Sequence, residues 1–564
     1  MSIRSLLRTA LIIVSMCWCP VALADDAADS ESVPVPATGD EPDNESAPLA
    51  ATSDEPGSGQ DAAPWGGSED NTLKLSIQEA IDLGIQNNLG VEIQRFNPLI
   101  AEEDVAIAWG AYDPIWESEM GWQKDRLPTS FGLAGTSLST GETLDGQGGF
   151  VGLLPLVSTQ YSAKLVSERS TTNSAVENLS PLYRSTTVFS LSQPLLRGLI
   201  WNEPWTRVKV SNIAYDSSLD AFRRDVMDIV TSIETAYWDL IATHEQMLVA
   251  RKSLETSRAL LEQTKTQYDV GVVSKVEVVQ AEAGVADREF SLIVATNRYR
   301  QAQDDLIDRV LGEQLRPETT LAIQPTEDPE EYVAYDVDVE QSTNLAFANR
   351  PELQLAQQNI EGLTIQEKFA KNQRLPQLDV VGSYFYQGLS GKNNPACQFG
   401  CSPVPSSDYG DSYNDFYDPN GANNWSVRGF LSIPIPNTSA RHRATQAAIE
   451  LRQARTQKRR VELDIIVEIR KAARDILSAQ EGIEAAQRAV AAAAEQLRAE
   501  EIRLEYGEST PFDVLLREED LVTAESQRIL AFQTYRTSIT ALDRRQGTIL
   551  RNRNIAIDQI LSVR

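Results

Sequence analysis

The sequence is poor in the residues that most often carry chemistry. Only two histidines occur in 564 residues, His244 and His442. They lie far apart with no ligand cluster around them, so no metal-binding spacing can be assembled. No nucleophile-elbow pattern is present, and the carboxylates scatter along helix faces, which leaves no catalytic constellation to single out. Long apolar runs are missing as well: beyond the first 24 residues no stretch reaches the ~18 apolar residues of a membrane helix. If the chain enters a membrane it must therefore do so as a closed β-barrel, because only helices and closed barrels satisfy the backbone in lipid. Positive charge is scarce, with 51 Lys and Arg against 81 Asp and Glu and a formal charge of −30. That balance excludes a nucleic-acid partner, whose phosphates demand a basic surface.

What is present begins with an export signal. Arg4 and Arg8 supply a positive start, an apolar run opens at Ala10, and Ala22-Leu23-Ala24 is a small-residue cleavage pattern. The alternative, lipid attachment at Cys17 or Cys19, is disfavoured by the bulky Met16 and Trp18 before them. Residues 25–72 follow as an acidic arm. From Asp25 to Asn71 there are thirteen carboxylates and no Lys or Arg, interleaved with Pro, Ser, Gly and Ala. Such a segment cannot bury enough apolar surface to offset its ordering entropy and reads as disordered. The two remaining cysteines, Cys397 and Cys401, sit in a Gly/Asn/Pro/Ser-rich stretch of an exported chain, where a local disulfide is the favoured reading.

The chain repeats itself. Leu83, Asn87 and Ile93 are echoed 262 residues later by Leu345, Asn349 and Leu355, and Pro114 falls on Pro376 at the same offset. Leu191-Ser192-Gln193-Pro194 matches Leu431-Ser432-Ile433-Pro434, and Gly271 matches Gly507. The order is kept, which divides the chain into a first repeat (73–320), a connector (321–340) and a second repeat (341–564). Within each repeat the strongest signal is a seven-residue apolar period. Leu219, Val226, Ile233, Leu240, Met247, Leu254, Leu261 and Tyr268 carry it in the first, and Ile469, Ile476, Ile483, Val490, Leu497 and Leu504 in the second. Such a period means long helices packed side by side. Small companions, among them Ala236, Ser257, Ala472 and Ala479, let neighbours approach closely. From Leu219 to Tyr268 alone the rod would extend about 75 Å.

Each rod ends in a legible turn. Gly271 stops the first, and Ser274 with Glu277 opens the next helix as a capping box. In the second repeat Gly507 stops the rod, with Thr510 as N-cap, Pro511 at the first helical position and Asp513 as the capping acid. Heptads resume beyond both turns, broken in the second copy by Arg528. Strand signals are weaker: Trp116, Ser118, Met120 and Trp122 alternate, as do Leu378, Val380, Tyr384 and Tyr386, and Trp425, Val427 and Leu431. Thr159 to Arg169 also alternates and points to an additional hairpin.

This combination resembles the TolC-like outer-membrane efflux proteins over Leu73 to about Leu561. The resemblance rests on the helix starts near Asn87 and Asn349, the strand-to-helix junctions at Pro194 and Pro434, and the two hairpin turns. It implies a mainly α fold with a β-barrel portion. Long antiparallel helices would form a periplasmic α-barrel, and four strands per subunit would build a trimeric twelve-stranded transmembrane barrel. It implies a homotrimer in outer-membrane lipid, working with a periplasmic adaptor and an inner-membrane transporter as a passive exit duct for efflux or type I secretion. No enzyme activity and no cofactor are implied. Glu277 and Asp513 match a family ring of acids at the periplasmic gate, although both read equally well as ordinary caps. Gly271, Ser274, Gly507 and Thr510 fall at the tips where the adaptor would dock. The insertion from Gly388 to Asn424 would face outside the cell and partly cover the pore. A trimeric surface adhesin shares the export signal and heptads but predicts no matched capped hairpins, and a secreted enzyme has still less support.

Overall fold

A computed structural model describes residues 72–128, 138–314, 322–328, 330, 334–417 and 422–562, all within the unit Trp65–Arg564. The export signal and nearly all of the acidic arm lie outside these residues. The first half runs β1 (Thr72–Leu75), α1 (Ile77–Asn87), α2 (Leu89–Trp109), then β2 (Ile115–Pro128), β3 (Leu138–Leu153), β4 (Gln160–Thr172) and β5 (Leu179–Pro194), then α3 (Glu203–Asp269) and α4 (Lys275–Leu311). The second half runs β6 (Ala322–Pro325), α5 (Val339–Asn349), α6 (Pro351–Asn372), β7 (Gln377–Asn393), β8 (Ala422–Ser432), α7 (Thr438–Glu505) and α8 (Pro511–Gln546). It closes with the short α9 (Ile549–Asn552) and α10 (Ile557–Ser562).

The heptad residues become the core because they share one helix stripe. Val226, Ile233 and Leu240 of α3 are fully buried, as are Ile469, Ile476 and Ile483 of α7. The small companions hold their seams: Ser257 is 1% exposed and Ala472 1%. α3 has 67 residues and α7 has 68, so each rod extends about 100 Å at ~1.5 Å per residue. One end of each long helix is clasped by the shorter helices of its half. α2 packs on α3, α3 on α6 and α6 on α7, while α4 and α8 return antiparallel along the other end.

Midway along the rods sits a smaller knot. β1 pairs in parallel with β6, so the sequence connector contributes a strand. The Tyr237 hydroxyl seals this pair, donating to the Leu75 carbonyl at 2.9 Å and accepting from the Thr326 amide at 3.2 Å. The connector also explains the broken heptad, since Arg528 leaves the α8 stripe to meet Glu330 at 3.0 Å. Two glycines fix matching contacts that the sequence pattern did not flag. A Cβ at Gly312 would meet the Asn87 carbonyl, and one at Gly547 would meet the Asn349 backbone at 2.9 Å.

The sheet corrects the expected strand number. Among the described residues six strands, not four, form one antiparallel sheet in the order β2-β3-β4-β5-β7-β8. The first half contributes four of them and the second half two. β3 escapes a search for alternation because Gly141, Gly146, Gly148, Gly149 and Gly152 erase its apolar signal.

Candidate functional site

The sheet has two chemically opposed faces, read directly from register. Trp116 pairs with Phe150, Phe150 with Ala163, Ala163 with Phe189, Phe189 with Tyr384 and Tyr384 with Trp425. One row down this face come Leu191 and Val427, and further up are Leu165 and Met120. The opposite face carries a continuous row of hydroxyls, Ser162, Ser190, Ser383 and Ser426, with Oγ–Oγ distances of 2.7 Å in the first and last pairs. Above that row it carries charge: Lys164 meets Glu117 at 2.8 Å, Arg184 meets Glu168 at 3.3 Å, and Glu119, Asp125 and Asp145 add further carboxylates. On the apolar face Leu144, Phe150, Leu165, Phe189 and Tyr384 stand exposed, while their polar-face neighbours on β3, β4 and β5 are half-buried. Side chains crowd on the inner side of a curved sheet, so the polar face is the inner one. Apolar outward and polar inward with period two is the pattern of a transmembrane barrel wall.

Among the described residues of the insertion between β7 and β8, those that pack on the sheet do so away from the polar face. Its 3-10 segment Tyr409–Tyr417 packs on the apolar side at the strand ends distant from the helices. Ser412 Oγ meets the fully buried Ser185 Oγ at 2.6 Å, Tyr413 OH meets Ser167 Oγ at 2.7 Å, and the Tyr409 ring stands edge-on to Tyr183. The serines and Gly388 beneath it offer no apolar side chains to lipid, so a covering segment suits them. Cys397 and Cys401 are joined by a disulfide within this insertion.

Pro194 and Pro434 stand where the sheet hands over to the long helices. Beyond Pro194 the Gly198 amide donates to Asn372 Oδ1 at 2.8 Å, and beyond Pro434 the Asn437 Nδ2 donates to the Arg374 carbonyl at 3.1 Å. Both crossings are thus tied to the C-terminal end of α6, which sets the helices against the sheet.

At the far end, both hairpin tips use the same local geometry. Gly271 has φ +80° and Gly507 φ +77°. In each, two amides past the helix turn back to its carbonyls: Val272 to Gln267 at 2.9 Å and Gly271 to Tyr268 at 2.9 Å, then Glu508 to Arg503 at 2.8 Å and Gly507 to Leu504 at 3.0 Å. These are Schellman closures, which satisfy the last carbonyls of a helix. The next helices open with capping boxes. Glu277 Oε1 accepts from the Ser274 hydroxyl at 3.1 Å, and Asp513 Oδ2 accepts from the Thr510 hydroxyl at 2.6 Å. Both acids therefore face their own caps here. Around them Val270, Val272, Val276, Tyr506 and Phe512 are exposed.

One buried acid near the tips was not singled out from sequence. Glu518 of α8 is 3% exposed and accepts hydroxyl hydrogen bonds from Ser253 and Ser257 of α3, each at 3.2 Å. Burial pushes its carboxyl above the usual range, against the lowering effect of the two serines and Arg288. The chain's helical pattern marks position 518 only as one more acid among many, so nothing in the sequence could have ranked it.

Comparison with known proteins agrees with this architecture. The family model for outer membrane efflux protein matches residues 152–312 and 343–548. No curated protein matches at the level of sequence. Among solved structures, the Campylobacter jejuni CmeC outer membrane channel superposes with a TM-score of 0.61 at 13% identity, over 86% of this chain and 89% of that one. The Vibrio cholerae outer membrane protein VceC gives 0.59 at 15% identity, over 84% and 96%. The open state of the Neisseria gonorrhoeae MtrE outer membrane channel gives 0.56 at 15% identity, over 84% and 89%. With the family model matching both halves of the chain, this protein belongs to the outer membrane efflux protein family: it is an outer-membrane transport protein, and not an enzyme.

Proposed function

We propose that three copies of this chain assemble into the exit duct of a tripartite efflux or type I secretion system. The observation that carries this reading is the six-stranded sheet with an apolar outer face and two open edges. β2 and β8 end the sheet, and both expose large apolar residues, including Trp122 at 72% and Trp425 at 75%. Lipid tolerates no unpaired edge, so the wall must be closed by other copies. An even number of antiparallel strands lets β2 of one copy meet β8 of the next in antiparallel sense at every seam. Three copies then give eighteen strands in place of the twelve expected from the resemblance, a size at which barrels enclose an aqueous channel.

The helical rods extend this duct through the periplasm, and the duplicated halves supply quasi-equivalent hairpins around it. The exposed apolar tips around Gly271 and Gly507, with Ser274 and Thr510, suit docking by a periplasmic adaptor that links the duct to an inner-membrane transporter. Glu277 and Asp513 place acid at the same end, where it would favour cations over anions. We read 1–24 as the export leader and 25–72 as a solvated acidic arm.

The test is the oligomeric mass of detergent-extracted protein together with its single-channel conductance in a planar bilayer. A trimer with a cation-selective conductance is expected. A monomer without conductance would overturn the shared-wall reading.

A further inference from the structure

We propose that the collar between sheet and helices holds the phosphate of an anionic phospholipid of the periplasmic leaflet, between Lys209 and Lys368. Lys209 Nζ lies 4.7 Å from the centre of the Trp201 ring and 5.3 Å from that of Trp205, and Lys368 Nζ lies 5.5 Å from Trp201. Both ammonium groups thus stand against one indole, and a cation–π contact leaves each positive charge un-neutralised and open to an anion. Neither has a carboxylate partner among the described residues, and the adjacent Glu367 is engaged by Lys371 at 2.8 Å. Trp109 closes the cluster edge-on to Trp205, 5.7 Å away, and the Trp205 indole N–H is buried without an acceptor.

The cluster faces outward. The polar side of this junction holds a cavity of about 340 Å³ lined by Ser192, Pro194, Glu203, Phe369, Gln373 and Asp379. At about 100° per residue, Trp205 and Lys209 lie roughly 200° and 240° around α3 from Glu203, across the helix from that cavity. On α6, Lys368 is turned by about 100° from Phe369 and 140° from Gln373. The two lysines sit on the middle helices of the layer α2-α3-α6-α7, and in the shared wall proposed above it is the edge helices that meet neighbouring copies.

The height is right for a headgroup. The strand β5 ends at Pro194, and Leu195, Leu196 and Ile200 stand exposed between it and the start of α3, as does Leu156 in the turn below β3. These offer apolar surface to acyl chains. Lys209 follows within the first two turns of α3, about 10 Å further on, and a lysine stem reaches back toward the interface. Tryptophans at such a level are the usual interfacial anchors. A phosphodiester with its chains on the leucines and its charge between the lysines would match all three features. The proposal rests on the sheet spanning the outer membrane.

Native mass spectrometry of the detergent-extracted oligomer, titrated with phosphatidylglycerol or phosphatidylcholine, tests it. The wild type should retain phosphatidylglycerol in several-fold preference, with up to one lipid per copy. Lys209→Gln with Lys368→Gln should bring that preference to parity, and Lys209→Arg with Lys368→Arg should keep it. Lys275→Gln at the distant tip should leave it unchanged. An undiminished preference in the double glutamine variant would overturn the proposal. So would equal displacement by inorganic phosphate, which would mean a simple anion site, or an equal loss in the Lys275 variant, which would mean net charge alone. Assembly is read in the same spectrum, and should the double glutamine variant not assemble, Lys368→Gln alone carries the test. A retained preference in protein that forms no channel would count against the duct and not against the cradle.

Discussion

Arg553 holds the carboxylate of Glu234 through two nitrogens, at 2.6 and 3.0 Å, although Glu234 is wholly buried. Thr540 of α8 donates to the same group at 2.7 Å. The turn after α9 is thereby fixed to the middle of α3 and to α8. Removing one partner strands a buried charge, which costs about 3–5 kcal/mol, whereas replacing both by apolar residues can be nearly neutral. Arg553→Met should therefore lower the unfolding temperature markedly, and Glu234→Met with Arg553→Met should recover most of the loss. A double variant as unstable as the single one would show that the turn, and not the ion pair, carries the stability.

A second cluster makes the mid-rod region sensitive to acid. Burial alone would raise the Glu352 carboxyl, but the hydrogen bond from Arg350 and the charges of Arg544 and Arg350 outweigh it and hold it at about 2. The Arg544 guanidinium lies 3.0 Å from Glu352 and also meets Asp228. A carboxyl lowered on folding contributes stability that is complete above about pH 4.5 and is lost as pH falls toward 2. Glu352→Gln should cost on the order of 2–3 kcal/mol at pH 7, and the gap from wild type should close on acidification over that window. Thermal melts between pH 7 and pH 3 measure it. A gap independent of pH would assign the loss to packing.

Much of this architecture was legible because the long helices obey one period. Ile469, Ile476 and Ile483 lie on a single stripe, and Gly271 and Gly507 mark ends that only a left-handed residue closes well. The sheet was half legible. Trp116 to Trp122 alternates cleanly, but β3 is built on glycines whose lack of side chains removes the pattern while permitting close cross-strand approach. A Cβ at Gly149, for instance, would run into the Ala163 carbonyl. Long-range partners were not legible at all. Nothing local announces that Arg528 meets Glu330, that Glu518 lies under Ser253 and Ser257, or that Lys209 and Lys368 share an indole, because each pair is set by how separate helices pack.

Glu518 predicts the opposite pH behaviour from Glu352. Its carboxyl is raised by burial, so the protonated form is favoured in the folded chain. Such a group contributes stability below about pH 4.5 that is lost as pH rises through its folded value, which makes it a weak point of the α3–α8 contact at neutral pH. Glu518→Gln keeps partners for Ser253 and Ser257 without the charge. It should stabilise the protein by on the order of 1 kcal/mol at pH 7 and leave it unchanged in acid. Destabilisation at pH 7 would mean that the charge interaction with Arg288 outweighs desolvation.

The hairpin tips should be separable from the sheet. Gly271 and Gly507 adopt left-handed backbone with nothing within 4 Å of where a Cβ would stand. A side chain there meets no neighbour, so the whole penalty of Gly271→Val is backbone strain, of order 1–3 kcal/mol for a β-branched residue. That strain is confined to a closure made by Val272 to Gln267 and Gly271 to Tyr268, far along α3 from Pro194. Amide exchange should quicken in the last turn of α3 and the first of α4, while membrane insertion and oligomer mass stay as in the wild type. Gly507→Val should do the same to α7 and α8. Ser274→Ala provides the comparison, since it removes the hydroxyl that meets Glu277 without backbone strain and should loosen only the start of α4, by about 1 kcal/mol. If either glycine variant failed to insert while its tip amides stayed protected, the turns could not be the end of the molecule remote from the membrane.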